Sequence, residues 1–530
     1  MTISTPWWRD AVIYQVYPRS WADSDGDGIG DLPGITSRLD HLVDLGVDAV
    51  WLSPFYVSPQ NDGGYDVADP RDVDPLFGTL DDFDALLERA HALGLRVIVD
   101  VVPNHSSSEH AWFRAALAAG PRSRERARYL FRDGTGMGGE QPPNNWLSSF
   151  GGPAWTRVTE ADGSPGQWYL HLFDTTQPDF DWECTEVREE MESVLRFWLD
   201  RGVDGFRIDV AHGLVKAPGL PDTDLTLDPL RDPTGLQPMW DQPGVHEIYR
   251  AWRRLTDSYS VPGQDCDRIL CAEAWVEPAA ALAHYVRPDE LHHCFNFHYL
   301  MTAWNATALR HSIAESLQQA NAVGAPQTWV LSNHDVVRHA SRFGSGEVGL
   351  RRARAATALM LALPGSAYLY QGEELGLPEA TQLPDDARRD PIWERSGHQV
   401  VGRDGCRVPV PWQADKPGFG FGPTRRTWLP QPPVYGDLAP ERQRGVPGST
   451  LELYRLLLRL RHDHRLGRGD LEWAATDPEI LRFTNRGVTV VANFGPSPVM
   501  LSPEAVVLVS SAADDDVSTL LPDTTVWLAT

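Results

Sequence analysis

Eight short apolar runs recur along this 530-residue chain, and they set the tightest limit on how it can fold. They read AVIYQVYP (11–18), VDAVWLSP (47–54), LRVIVDVVPNH (95–105), GFRIDVA (205–211), ILCAEAW (269–275), CFNFHY (294–299), TWVLSNHD (328–335) and SAYLYQG (366–372). Continuous β-branched runs of this kind suit strands buried on both faces, as in a parallel sheet. Between several of them lie patterns of helical period, such as DDFDALLERAHALG (81–94), REEMESVLRFWLDRG (188–202) and RRARAATALMLAL (351–363). Strand then helix, repeated, puts helices outside a parallel sheet. Eight such units predict an α/β fold, the (β/α)8 TIM barrel.

Two stretches break the rhythm. Residues 106–175, between the third and fourth strands, are rich in Gly, Pro, Trp and Asn and read as an inserted subdomain. Residues 377–447 are Pro/Gly-rich and aperiodic, and a loop that long in a compact domain is usually functional or disordered; Trp393, Trp412 and Trp428 favour an ordered one. After the helical run LELYRLLLRLRH (451–462) the pattern turns to short strands, ILRFTNRGVTVVANFG and VVLVSS. The expected division is a barrel over 1–105 and 176–462, the insertion over 106–175, and a C-terminal all-β sandwich over 463–530.

The formal net charge is -26, which disfavours nucleic acid and anionic membranes as partners and suits a neutral substrate. No apolar run is long enough to span a bilayer. The opening MTISTPWWRD has neither a basic nor a long apolar segment of a secretory leader, so a cytoplasmic location is expected. Cys184, Cys266, Cys271, Cys294 and Cys406 are odd in number and form no CxxC pair, which argues against a disulfide framework or a zinc site. Cys271 and Cys294 read as buried residues.

Chemistry in a barrel of this kind sits at the C-terminal ends of the strands. There the third strand carries Asp100, Asn104 and His105, the fourth Arg207 and Asp209, the fifth Glu273, and the seventh Asn333, His334 and Asp335. Any one of these carboxylates alone is as readily structural. Gathered on one rim they repel each other, and such clustering marks a site. Two carboxylates, one an ionised nucleophile and one a protonated acid, are the requirement for glycoside cleavage. Arg207, on the same face of its strand as Asp209, is expected to lower that carboxyl's pKa. Glu273, in an apolar run beside Trp275, is expected to be the acid. Asp335 remains to bind hydroxyls and stabilise the transition state.

The motifs DVVPNH (100–105), GFRIDVAH (205–212), EAW (273–275) and NHD (333–335), in this order, resemble those of the α-amylase family, glycoside hydrolase family 13, over nearly the whole chain. WWRDAVIYQVYPRSWADSDGDGIGDLPGI (7–35), QPDFDW (177–182) and GRDGCRVPVPW (402–412) are similar to stretches of its oligo-1,6-glucosidase and α-glucosidase branch. In the last two, Phe180, Asp181, Val408, Val410 and Pro411 depart from the branch pattern on the acceptor side. The resemblance implies a retaining mechanism with Asp209 as nucleophile, Glu273 as acid/base and Asp335 as stabiliser. It implies sugar contacts from Asp62, Tyr65, His105, Arg207, His334 and an arginine that is Arg403 or Arg407, with Asp100 supporting the site and His212 an open case.

In DSDGDGIGD (23–31), alternate carboxylates on a tight loop suit a hard cation. An EF-hand is excluded because Gly34 stands where its twelfth-position acid belongs. The alternative is a solvated acidic loop. The resemblance implies a structural calcium or magnesium ion held by Asp23, Asp25, Asp27, Asp31 and the Ile29 carbonyl, and no cofactor for catalysis.

The activity implied is release of α-glucose from non-reducing ends of short α-glucosides, with transglucosylation, by a monomer or weak homo-oligomer. Val210 after the nucleophile accompanies α-1,6 action in this branch, but DVAHG also occurs in relatives of actinobacterial maltase type, so α-1,4 action is expected. The alternatives are an α-1,6-acting enzyme, and a sucrose- or trehalose-acting transferase or isomerase. A non-catalytic transporter-associated barrel is disfavoured because its relatives lose the carboxylates that this chain keeps.

Overall fold

The computed structural model describes residues 6–224, 237–261, 267–475, 477–513 and 518–530; Cys266 lies outside them. Eight parallel strands form one curved sheet: β1 (Val12–Val16), β2 (Ala49–Leu52), β3 (Arg96–Val101), β4 (Gly205–Ile208), β5 (Ile269–Ala272), β6 (His293–Cys294), β7 (Thr328–Val330) and β8 (Ser366–Tyr370). Their spatial order is β6-β5-β4-β3-β2-β1-β8-β7. A backbone hydrogen bond of 3.1 Å from Asn296 N to the Thr328 carbonyl brings the two ends of the sheet together. This is the expected TIM barrel.

The helices outside it form for local reasons. Thr79 and Asp82 make a capping box that starts the helix Leu80–Ala92, whose Phe83, Leu86, Leu87 and Ala90 are buried. The helix Thr185–Arg201 buries Val187, Met191, Val194, Leu195, Trp198 and Leu199 at helical spacing and stops at Gly202, which takes a left-handed φ of 105°. Trp198 packs edge-on to Phe83 at 4.9 Å, locking the two helices side by side. Removing an indole from such a position costs about 3–5 kcal/mol.

The sixth strand differs from the sequence expectation. Of CFNFHY only Cys294 is in the strand, with His293 before it. The Asn296 side chain accepts from Tyr299 N, capping a short helix, Phe297–Met301. Asn is a strong helix initiator, and here its cap outweighs the apolar alternation around it.

Between β3 and β4 the chain forms the helix Ala111–Ala119 and an antiparallel sheet of Phe131–Arg132, Pro165–Leu170 and Trp155–Thr159. After β8 it runs through turns and short helices to the long helix Thr450–His464. Beyond that lie a five-stranded antiparallel sheet (Glu472–Trp473, Ile480–Asn485, Val488–Asn493, Thr524–Ala529, Val506–Ser510) and a two-stranded one (Val499–Met500, Thr519–Leu520). The larger sheet docks on the barrel helix Gly346–Leu361 through Trp527 Nε1 to the Ala358 carbonyl and Thr525 Oγ1 to the Ala355 carbonyl, both 2.9 Å. No helix among the described residues is long and apolar enough to cross a membrane.

Candidate active site

The C-terminal rim of the barrel gathers the polar residues named above. Register does much of the work: β3 and β4 pair so that Asp100 stands opposite Arg207, and Arg207 in turn pairs with Cys271, two residues before Glu273. The Arg207 guanidinium is fully buried and serves three carboxylates. Nη1 donates to Asp100 Oδ1 (2.9 Å) and Asp209 Oδ1 (2.8 Å), and Nη2 to Glu273 Oε2 (2.6 Å). Tyr65 OH and Trp51 Nε1 donate to the second oxygen of Asp100, at 3.1 and 3.3 Å. Trp275 Nε1 donates to Glu273 Oε1 at 3.2 Å, and its ring stacks on Phe297 at 3.9 Å. The other Glu273 oxygen also accepts from Val210 N at 3.2 Å, an amide aimed inward because Val210 has φ 45°.

Asp335 stands in a different setting. Arg403 Nη1 (3.1 Å) and Arg407 Nη2 (2.9 Å) both donate to its Oδ1, and His334 Nε2 lies 3.1 Å from its Oδ2. Both candidate arginines therefore reach the site. Arg403 also bridges to Asp62 Oδ1 at 2.7 Å and is gripped by Asp390 through Nε at 2.7 Å. The His334 ring lies flat against Tyr65, 5.1 Å between centroids at 2°, and contacts Gln15 through Nδ1 at 2.7 Å. Gln177 Nε2 reaches Asp62 Oδ2 (3.1 Å) and His105 Nε2 (3.2 Å).

These groups line a cavity of about 200 Å³, with Asp62, Tyr65, His105, Asp209, Glu273, His334, Asp335 and Arg403 polar, and Phe150, Phe173, Val210, Trp275, Val336 and Ile392 apolar. His212 also borders it and stacks on Trp240 at 4.7 Å. Burial pushes His105 down to about 4 and His334 well below its ordinary value, so both imidazoles are neutral near pH 7 and each offers one donor and one acceptor.

One electrostatic expectation is corrected. Burial, with Glu273, Asp100 and Asp335 nearby, pushes Asp209 up, and Arg207 only partly offsets this. Burial likewise pushes Asp100 up to about 7 against the same guanidinium. One cation divided among three carboxylates cannot hold each of them low. Asp335 is pushed up by burial too, but His334 and the charges of Arg403 and Arg407 outweigh that and hold it far below the usual range.

Asp390, Gln177, Phe150, Phe173 and Ile392 had no role in the sequence reading. All five come from the two aperiodic stretches or their borders, where no period places a side chain.

In the first loop, Asp23, Asp25 and Asp27 each bring a carboxylate oxygen within 4.8 Å of the others. Asp31 stands apart from this group. Its Oδ1 caps the helix Leu32–Ser37 through Gly34 N (2.6 Å), and its Oδ2 takes Ser24 N (2.8 Å) and Ser24 Oγ (2.9 Å).

The arrangement of buried carboxylates, arginines and neutral histidines around a small cavity fits the binding and acid–base cleavage of a polyhydroxylated ring. Comparison with known proteins points the same way. A probable alpha-glucosidase of Rhizobium meliloti (strain 1021) is 39% identical over 497 residues, covering 90% of this chain and 86% of its own. An oligo-1,6-glucosidase of Parageobacillus thermoglucosidasius is 33% identical, covering 94% and 93%. The crystal structure of an alpha-glucosyl transfer enzyme, XgtA, superposes with a TM-score of 0.87 at 36% identity, covering 99% of each chain. The family profile described as "Alpha amylase, catalytic domain" matches residues 15–469, a span that holds every residue of the cavity, and the chain belongs to the α-amylase family.

Proposed function

We propose that the protein is a retaining exo-α-glucosidase that releases α-glucose from short α-glucosides, maltose and small malto-oligosaccharides foremost. The observation that carries this reading is the fork of Arg207, whose adjacent nitrogens bind Asp209 and Glu273 at once on the wall of a cavity of about 200 Å³. A shared guanidinium holds two carboxyl groups close, in keeping with the short separation, about 5–5.5 Å, of retaining enzymes. The cavity lies below the roughly 300–1,000 Å³ of sites for larger ligands, which suits one sugar ring rather than a bound polymer.

In this mechanism Asp209 attacks the anomeric carbon while Glu273 gives its proton to the departing glycosidic oxygen. The C–O bond to the leaving group breaks as the bond to Asp209 forms. Glu273, now a carboxylate, takes a proton from water, whose oxygen displaces Asp209 and restores the α configuration. Asp335, ionised between two arginines, accepts hydrogen bonds from ring hydroxyls and favours the positive charge that develops on the ring. His105 and His334 supply neutral contacts, and Asp62 with Arg403 closes one side. Transfer to an acceptor other than water uses the same intermediate, and the likeness to the transfer enzyme XgtA favours this second outcome.

The reading extends to a maltase of actinobacterial type, acting in the cytoplasm as a monomer or weak homo-oligomer. The carboxylate oxygens of Asp23, Asp25 and Asp27 suit a calcium or magnesium ion in a structural role.

The test is initial glucose release from maltose, isomaltose, sucrose and trehalose at equal concentration, with the anomer followed by polarimetry. Maltose should lead, and α-glucose should appear first. A β anomer overturns retention, isomaltose in the lead overturns the linkage, and no release from any of the four overturns the function.

A further inference from the structure

The hydrogen bonds around the cavity close into a ring. Starting at Asp62, Oδ1 accepts from Arg403, which is held by Asp390 (2.7 Å). The other Asp390 oxygen accepts from Ile392 N at 3.0 Å and caps the short helix Pro391–Arg395. From the far end of that helix Arg395 crosses to the segment between β3 and β4. It donates to the Gly151 carbonyl through Nη2 (2.6 Å) and Nε (3.1 Å), and to Asp174 Oδ1 through Nη1 (3.2 Å). Asp174 N donates to Gln177 Oε1 at 2.9 Å, and Gln177 Nε2 returns to Asp62 Oδ2 at 3.1 Å.

Half of this ring comes from residues 62 and 151–177, and half from residues 390–403. Arg395 joins the halves on the side away from Asp62. Its partners Gly151 and Asp174 directly follow Phe150 and Phe173, two apolar walls of the cavity, and Ile392 on its own helix is a third. Against burial, hydrogen bonds from Thr176 and the Arg395 charge hold the Asp174 carboxyl below its ordinary range, so the pair stays ionised at neutral pH. Both side chains keep some solvent exposure, 16% and 14%, so the link can open without unfolding the core.

We propose that Arg395 is a specificity-determining clasp: by tying the helix Pro391–Arg395 to Gly151 and Asp174 it sets the width of the cavity mouth and confines the enzyme to short substrates. This rests on the exo-glucosidase reading. Arg395 touches none of the carboxylates assigned to the chemistry, so losing it should alter which leaving groups fit more than how fast the bond breaks.

The experiment compares kcat/KM for maltose and maltohexaose in the wild type, Arg395→Met, Arg395→Lys and Asp174→Asn. In Arg395→Met the maltohexaose-to-maltose ratio should rise about fivefold or more, chiefly through KM. Asp174→Asn should move it the same way by less, and Arg395→Lys, which keeps the charge beside Asp174, should restore part of the wild-type ratio. A ratio unchanged within about twofold, or an equal fall on both substrates, overturns the clasp. Amide hydrogen exchange over residues 148–152 gives a reading without turnover. It should quicken about tenfold in Arg395→Met, and an unchanged rate overturns the proposal. A wild type that cleaves no α-glucoside would remove the proposed function while the exchange measurement still decides the clasp.

Discussion

The two sides of the cavity solve opposite electrostatic problems. On one, a single arginine serves three carboxylates: Arg207 binds Asp100, Asp209 and Glu273. On the other, two arginines serve one: Arg403 and Arg407 both bind Asp335. Negative charge is in excess on the first side, and Asp100 and Asp209 are pushed up. On the second, Asp335 alone receives two guanidinium groups, one of them shared with Asp62 and Asp390, and it is held down. The first side thus holds carboxyl groups whose proton affinity is raised, Asp100 to about 7, and on the second Asp335 stays ionised.

Breaking the comparison at its centre should have the largest effect. Asp209→Asn should lower kcat/KM by at least about 10⁴-fold with the fold intact by circular dichroism, because the group it replaces acts as a unit with Glu273. Substantial remaining turnover would move the nucleophile elsewhere. Arg207→Met should be a folding defect as well as a catalytic one. It leaves three buried carboxylates without their cation, a loss of about 3–5 kcal/mol in urea unfolding. The matching change on the other wall, Arg407→Met, should cost less stability, since Arg403 still reaches Asp335, and should cost about 10²-fold in kcat. If both arginine variants lose stability equally, the asymmetry between the walls is wrong.

The smallest effect is a shift along the pH axis. A carboxyl with a raised pKa ionises only as the pH climbs past that raised value. The nucleophile side is therefore protonated, and kcat/KM lost, as pH falls through a midpoint above the ordinary aspartate value of about 3.9. That midpoint belongs to the coupled group of carboxylates rather than to Asp209 alone. Asp100→Asn removes one of the repelling charges and should lower it. A midpoint at or below the ordinary value in the wild type would contradict the charge excess around Arg207.

Much of this was legible in the sequence, and for a geometric reason. In a barrel of parallel strands every strand end faces the same rim, so Asp100, Asp209, Glu273 and Asp335 meet whatever the details of packing. The pairing of Arg207 with all three carboxylates was not legible, because it depends on the cross-strand register that sets Asp100 opposite Arg207. Only the neighbour two residues away, Asp209, could be foreseen. The mouth of the cavity was largely hidden as well. Phe150, Phe173, Asp390 and Arg395 lie in stretches without helical or strand period, so nothing in the spacing says which way they point. Gln177 lay in a recognised motif, yet its contact with Asp62, 115 residues away, needs the folded chain.

Val210 ties two properties of the enzyme together. Its φ of 45° is unusual for a β-branched residue, and such backbone strain costs on the order of 1–3 kcal/mol. The same twist turns its amide onto Glu273 and its side chain into the cavity. A mutational library at this one codon therefore samples two traits at once, the shape of the cavity wall and the seating of Glu273. Variants that reshape this part of the cavity wall should carry an altered Glu273 seat with them, and glycine, which relaxes the backbone, should trade the firmness of that seat for freedom of shape.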